Sequence, residues 1–140
     1  MICIFFGHSN TPSDVEGVLR DTICDLIENH GVVRFYVGNY GHFDFMARRV
    51  LKELCGHYPE IKYSVVLAYL PKDDCDDYSD TIYPEEIAGV YKRFAIDAVN
   101  KWMIDRSDFV ITYVEKSWGG AAKFKEMAEK KGKKVINITK

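Results

Sequence analysis

Two glycines three residues apart, in Val37-Gly38-Asn39-Tyr40-Gly41-His42-Phe43-Asp44, separate a run that reads as a strand from one that reads as a helix. Glycine lets a backbone turn tightly and come close to a ligand, and the first amides of the following helix have no partners within it. Such a loop can cradle an anion, most often phosphate, although Gly-x-x-Gly also makes plain tight connections. Asp44 falls in the first turn of that helix. It could bind ribose hydroxyls, or stabilise the positive charge that builds at an anomeric carbon when a glycosidic bond breaks. Equally, it could do no more than complement the helix dipole, an effect of about 0.3–1 kcal/mol.

Two further loops leave strand-like runs with small residues: Gly7-His8-Ser9-Asn10 and Ser117-Trp118-Gly119-Gly120. Histidine exchanges protons near neutral pH, so His8 and His42 could act as acid or base, or simply as hydrogen-bonding loop residues. Trp118 could stack on a base or pack over the sheet edge, and Tyr40 could stack in the central loop. Arg93 offers the fork that suits phosphate, or it pairs with Asp97 four residues on. Asn100 could read a base edge or a ribose, or could serve as a cap or face solvent. Gly38, Gly41, Gly119 and Gly120 are the positions where a backbone could lie against a ligand.

Metals have weaker support. Cys3, Cys24, Cys55 and Cys75 form no Cys-x-x-Cys pair, and Cys55-Gly56-His57 is half a site with no second half, so zinc is not expected. Asp73, Asp74, Asp76, Asp77 and Asp80 could hold magnesium but lack a regular ligand spacing, and are read as a solvated loop. No cofactor is expected.

The elements that position these residues follow from hydrophobic periodicity. Residues 2–6 are continuously apolar, as a strand covered on both faces is. Val15, Val18, Leu19, Ile23, Leu26 and Ile27 recur at helical spacing, opened by a Ser13/Glu16 capping box or by Pro12, and closed by Gly31. Residues 32–37 form a second strand, and Phe43, Met46, Ala47, Val50, Leu51 and Leu54 mark the next helix. Strand three covers 63–70. Residues 72–84 are an irregular excursion, of a length that often serves as a lid. Residues 85–104 read as one helix, broken near Gly89, with Arg93, Asp97 and Asn100 on one face. Strands at 109–114 and 134–138 flank a last helix. This alternation predicts an α/β fold with about five mostly parallel strands and helices on both faces. Ligands of such sheets bind at the C-terminal strand ends, the side from which all three loops leave.

Composition sets bounds on the rest. One domain of 140 residues can bury a core without staples. No apolar run approaches the roughly 20 residues of a membrane span. Met1-Ile2-Cys3-Ile4-Phe5-Phe6 has no basic leader, so it reads as a strand rather than a signal peptide, and a cytoplasmic location is the default expectation. A net charge of −2 leaves no footprint for nucleic acid. Seven lysines against two glutamates in the last 18 residues read as a solvated helix face and tail.

In order and context, these motifs resemble the SLOG superfamily of Rossmann-like nucleotide-binding proteins, over nearly the whole chain. The match is nearest to its small bacterial members. The residues that carry it are Gly7-His8, Gly38 to Asp44, Lys92 to Ile96, Asn100 to Met103, Ser107-Asp108 and Gly119-Gly120-Ala121. The superfamily includes the "lonely guy" phosphoribohydrolases, a single-strand DNA-processing protein and nucleotide sensors of bacterial conflict systems. The resemblance implies a single Rossmann-like three-layer domain over 1–140 and a ligand with ribose and phosphate. It also implies a homo-oligomer. The phosphoribohydrolases carry Pro-Gly-Gly-x-Gly-Thr-x-x-Glu with a catalytic glutamate. Here the central loop has neither that proline nor that threonine, and Asp44 is its one acid. Three functions are therefore expected in descending order: a nucleotide sensor or sequestering module, an N-glycosidic hydrolase or transferase, and a single-stranded nucleic-acid module.

Overall fold

Strand β1 (Ile2–Gly7) feeds two cores at once. Alternate side chains leave a strand on opposite faces. Cys3 and Phe5 accordingly join one buried cluster, and Ile4 and Phe6 the other. The chain continues through α1 (Glu16–His30), β2 (Arg34–Val37), α2 (His42–Leu54), β3 (Lys62–Val66), β4 (Thr81–Ile82), α3 (Glu85–Ala88), α4 (Ala95–Arg106), β5 (Phe109–Tyr113), α5 (Gly120–Lys130) and β6 (Lys134–Asn137). The computed structural model describes residues 1–70 and 79–139.

The six strands form one all-parallel sheet in the order β4-β3-β2-β1-β5-β6. Helices α1 and α2 cover one face, with Leu19, Ile23, Met46 and Leu51 among their buried residues. The other face is covered by α3, α4 and α5 through Ile87, Val99, Met103 and Phe124. This is a Rossmann-like three-layer sandwich, with six strands rather than five. The extra strand, β4, has two residues, too few for any period to show. It forms because Asp80 and Ile82 supply carbonyls to the amides of Val65 and Leu67 at 2.7 and 2.8 Å.

Other local expectations change in the folded chain. The Ser13/Glu16 capping box does not form. Residues Ser13–Val15 make a 3-10 turn, so Glu16 opens α1 and its carboxylate pairs with Arg49 of α2. Gly31 does close α1, at φ 69°. The single helix expected over 85–104 is α3, a 3-10 turn at Lys92–Phe94, and α4. Of the acidic run, Asp80 is not merely solvated. Its carboxylate accepts two hydrogen bonds from Arg48 and one from the Tyr63 hydroxyl, fastening β4 to α2 and β3. Cys75, Asp73, Asp74, Asp76 and Asp77 lie outside the described residues. Among the described residues, no helix is long and apolar enough to cross a membrane.

Candidate functional site at the C-terminal strand ends

The strand order reverses at β1: β2, β3 and β4 lie to one side, β5 and β6 to the other. Loops that leave β1 and β5 therefore diverge, and a crevice opens between them, where open α/β sheets bind ligands. Gly7, at the end of β1 and in register with Tyr113 of β5, lines it. Two adjoining cavities occupy it and share Gly7, Ser9, Gly120 and Ala121. One of about 190 Å3 is completed by Phe6, Gly38, Tyr40, Gly41, Asp44, Ile96, Asp97, Asn100 and Phe124. The other, about 430 Å3, is completed by His8, Asn10, Lys116, Trp118 and Gly119.

The glycines have distinct physical reasons. A Cβ at Gly7 would lie 2.3 Å from the Phe43 ring, and one at Gly38 would lie 2.8 Å from Asp44 Oδ2. Both are thus demanded by the chain's own packing. Gly119, just before α5, adopts φ 96° and ψ 174°, a region essentially confined to glycine. Gly41 is extended and precedes α2, where the amide of His42 donates to the Ser9 carbonyl at 3.3 Å, tying the β1 and β2 loops together. At Gly120, a Cβ would meet open space.

Asp44 sits in the first turn of α2, and its Oδ2 accepts the Tyr40 amide at 3.2 Å. The residue as a whole is half-buried, but its carboxylate is sunk beneath the loop. Burial, only partly countered by the Tyr40 N–H, pushes its pKa up to about 6. Tyr40 in turn accepts the Ala68 amide on its hydroxyl at 2.7 Å and meets the Tyr69 ring edge-on at 5.8 Å. Burial raises the pKa of its phenol as well. The central loop is therefore held to the end of β3 as well as to α2.

Both histidines have structural work. His8 Nε2 accepts the Glu115 amide at 2.9 Å, so that nitrogen carries a lone pair, and the β1 loop is joined to the end of β5. His42 Nδ1 lies 2.6 Å from the Thr11 carbonyl, to which it donates, and the residue does not line either cavity. Asn39 is not in the lining either. Arg93 also stands outside it. The 3-10 turn takes it off the α4 face, its guanidinium lies 4.8 Å from the Phe94 ring centre, and Asp97 pairs instead with Lys123 of α5 at 3.2 Å. Trp118 does not pack over the sheet edge. It is 67% exposed, with Lys116 Nζ 4.8 Å from its ring centre.

Lys116 lines the crevice without any sequence signal; Asn10 lies in the Gly7-His8-Ser9-Asn10 loop and Ile96 in the Lys92 to Ile96 segment, though neither stood out as a site residue, and Asp97 is a wall residue rather than an arginine's partner. The i, i+3 spacing of Asp97 and Asn100 on α4 was the available hint. Asn137 had none, yet its side-chain amide makes two 3.0 Å hydrogen bonds with the backbone of Val114, fixing the strand that launches the Trp118 loop.

Charge divides the crevice. The smaller cavity has two carboxylates, Asp44 and Asp97, beside apolar Phe6, Ile96 and Phe124, with no lysine or arginine in its lining. The larger one has Lys116 and the first residues of α5, where unpaired helix amides favour negative charge. Such a site can hold a ligand that is anionic at one end and rich in hydrogen-bond donors at the other. Among the described residues, no group of three or more His, Cys, Asp or Glu is placed to hold a metal ion. No protein-family model matches this chain, and no curated protein matches its sequence.

Proposed function

We propose that the protein binds a nucleotide, or another small molecule built on ribose and phosphate, across the two joined cavities, as a sensor or sequestering module of SLOG type. The observation that carries this reading is the polarity of the crevice at the β1/β5 reversal. Phosphate belongs with Lys116 and the start of α5, and the hydroxyls of the sugar belong with Asp44, Asp97 and Asn100. Trp118 and Tyr40 offer rings to a base. A cytoplasmic homo-oligomer is part of the same reading.

The second reading is cleavage or transfer at an N-glycosidic bond. It is favoured by Asp44, a buried carboxylate in the cavity wall with its pKa raised to about 6. That position suits a group that protonates a leaving base or stabilises developing positive charge.

One experiment separates the two. A ligand that binds the native state raises apparent stability by mass action. The purified protein is screened by thermal shift against AMP, ribose 5-phosphate, NAD, ADP-ribose and cyclic nucleotides, and each hit is chromatographed after incubation. A hit returned intact supports the sensor. Return as free base and sugar phosphate, abolished by Asp44→Asn, supports the enzyme. No shift with any of them overturns the ligand class.

A further inference from the structure

The loop after β1 and the end of β5 also enclose a cavity on the α1 side of the sheet, about 240 Å3 in volume. Pro12, Val15 and Val18, around the start of α1, and Ile138, just past β6, form its apolar wall. Val18 is 39% exposed and belongs to neither buried cluster, so an aliphatic surface faces this space rather than the core. The remaining lining is Tyr113, Asp14 and Glu115. Tyr113 is nine-tenths buried and its hydroxyl donates to the Glu115 carboxylate. That hydrogen bond, burial and the charges of Glu115 and, least, Asp14 raise the phenol pKa.

Among the described residues, no lysine, arginine or histidine pairs with Asp14 or Glu115. Lys116 lines a small adjoining space of about 140 Å3, but its Nζ lies over the Trp118 ring. An apolar wall under two uncompensated carboxylates is complementary to one kind of molecule, an organic cation with an aliphatic body. An ammonium gains charge-assisted hydrogen bonds at the mouth, and its alkyl chain leaves water against the valines. A carboxylate or phosphate is repelled there, the reverse of the selectivity of the larger crevice cavity.

We propose that this cavity is a second binding site, for a small aliphatic amine, with the ammonium between Asp14 and Glu115 and the alkyl chain against Pro12, Val15, Val18 and Ile138. The site has a built-in reporter. The Glu115 amide donates to His8 Nε2, and His8 also lines the larger crevice cavity, so occupancy at Glu115 is felt at the His8 ring.

The test is an NMR titration of isotope-labelled protein without nucleotide, so its result is independent of the crevice ligand. The probes are n-pentylamine and 1,5-diaminopentane, with 1-pentanol and pentanoate as neutral and anionic matches. We expect saturable shifts from the amines at the Val18 and Glu115 amides and at the His8 ring. The alcohol should bind at least about tenfold more weakly, and pentanoate should not bind. The double variant Asp14→Asn/Glu115→Gln should lose about tenfold in amine affinity. Both residues are exposed, and an otherwise unchanged spectrum will show that the fold is intact. The proposal fails if neither amine gives saturable shifts at millimolar concentration, if pentanol binds as tightly, if the double variant binds equally well, or if the shifts map elsewhere.

Discussion

The carboxylate of Asp44 accepts the backbone amide of Tyr40, four residues earlier, at 3.2 Å, and the α-carbon of Gly38 lies so close that no side chain fits between them. One acid thus closes the central loop from inside while facing a cavity at the strand ends. The catalytic and structural accounts of Asp44 describe the same geometry, and chemistry must separate them.

The pH dependence of stability offers one separation. The Asp44 pKa of about 6 in the fold exceeds its ordinary 3.8, so between these values the native state holds a proton that the unfolded chain has lost. Stability attributable to this group is therefore full below about pH 4, falls as pH rises to about 6, and stays lost above it. The cost at neutral pH is on the order of 1–3 kcal/mol. Asp44→Asn keeps an acceptor for the Tyr40 amide and has no charge to bury. Urea unfolding across pH 4–7 should show a flatter profile and a neutral-pH gain on the order of 1–2 kcal/mol. A profile identical to wild type would mean that Asp44 is not the group that titrates.

Glycine positions 38 and 119 should fail for different reasons. In Gly38→Ala the new methyl displaces Asp44 from Tyr40, so stability falls by on the order of 1–3 kcal/mol and the pH 4–6 slope changes with it. In Gly119→Ala the cost is backbone strain, about 1–3 kcal/mol, and the pH profile keeps its wild-type shape. Combining each with Asp44→Asn tests the distinction, because only the Gly38 effect should be altered.

Trp118 is so exposed that removing it should leave the melting temperature within a degree or so of wild type, as surface changes usually do. If its ring stacks on a base, Trp118→Ala weakens AMP by about 1–3 kcal/mol and leaves ribose 5-phosphate unaffected. Calorimetry with both ligands decides this, and equal losses for the two would remove Trp118 from base recognition.

The side chain of Asn137 extends the β5–β6 pairing by two hydrogen bonds beyond the last strand residue of β5. Asn137→Ala should cost on the order of 1–3 kcal/mol in chemical denaturation, and Asn137→Asp should recover only part of it, since a carboxylate still accepts the Val114 amide but cannot donate to the Val114 carbonyl. Faster hydrogen exchange at Val114 in Asn137→Ala than in Asn137→Asp would locate the loss.

By itself, the sequence determined the layers, the parallel sheet and the end of the sheet where loops gather. Those follow from local facts: a strand such as 2–6 is apolar at every position only if both faces are covered, and an amphipathic helix such as α2 must lie on it. It also placed Gly7, Ser9, Gly38, Tyr40, Gly41, Asp44, Asn100 and Gly120 on three loops and two helices that the fold brings to one cavity. Tertiary structure alone decided what each does there. No spacing rule shows that Phe43 and Asp44, rather than a ligand, exclude a side chain at positions 7 and 38, because that clash joins residues from different elements. Nor could spacing reveal that a 3-10 turn would take Arg93 from the α4 face, that His8 would spend a lone pair on the Glu115 amide, or that Lys123 would claim Asp97. Periodicity reports which face of an element is buried, whereas hydrogen-bond and ion-pair partners are chosen by the distances that remain once all the elements are packed.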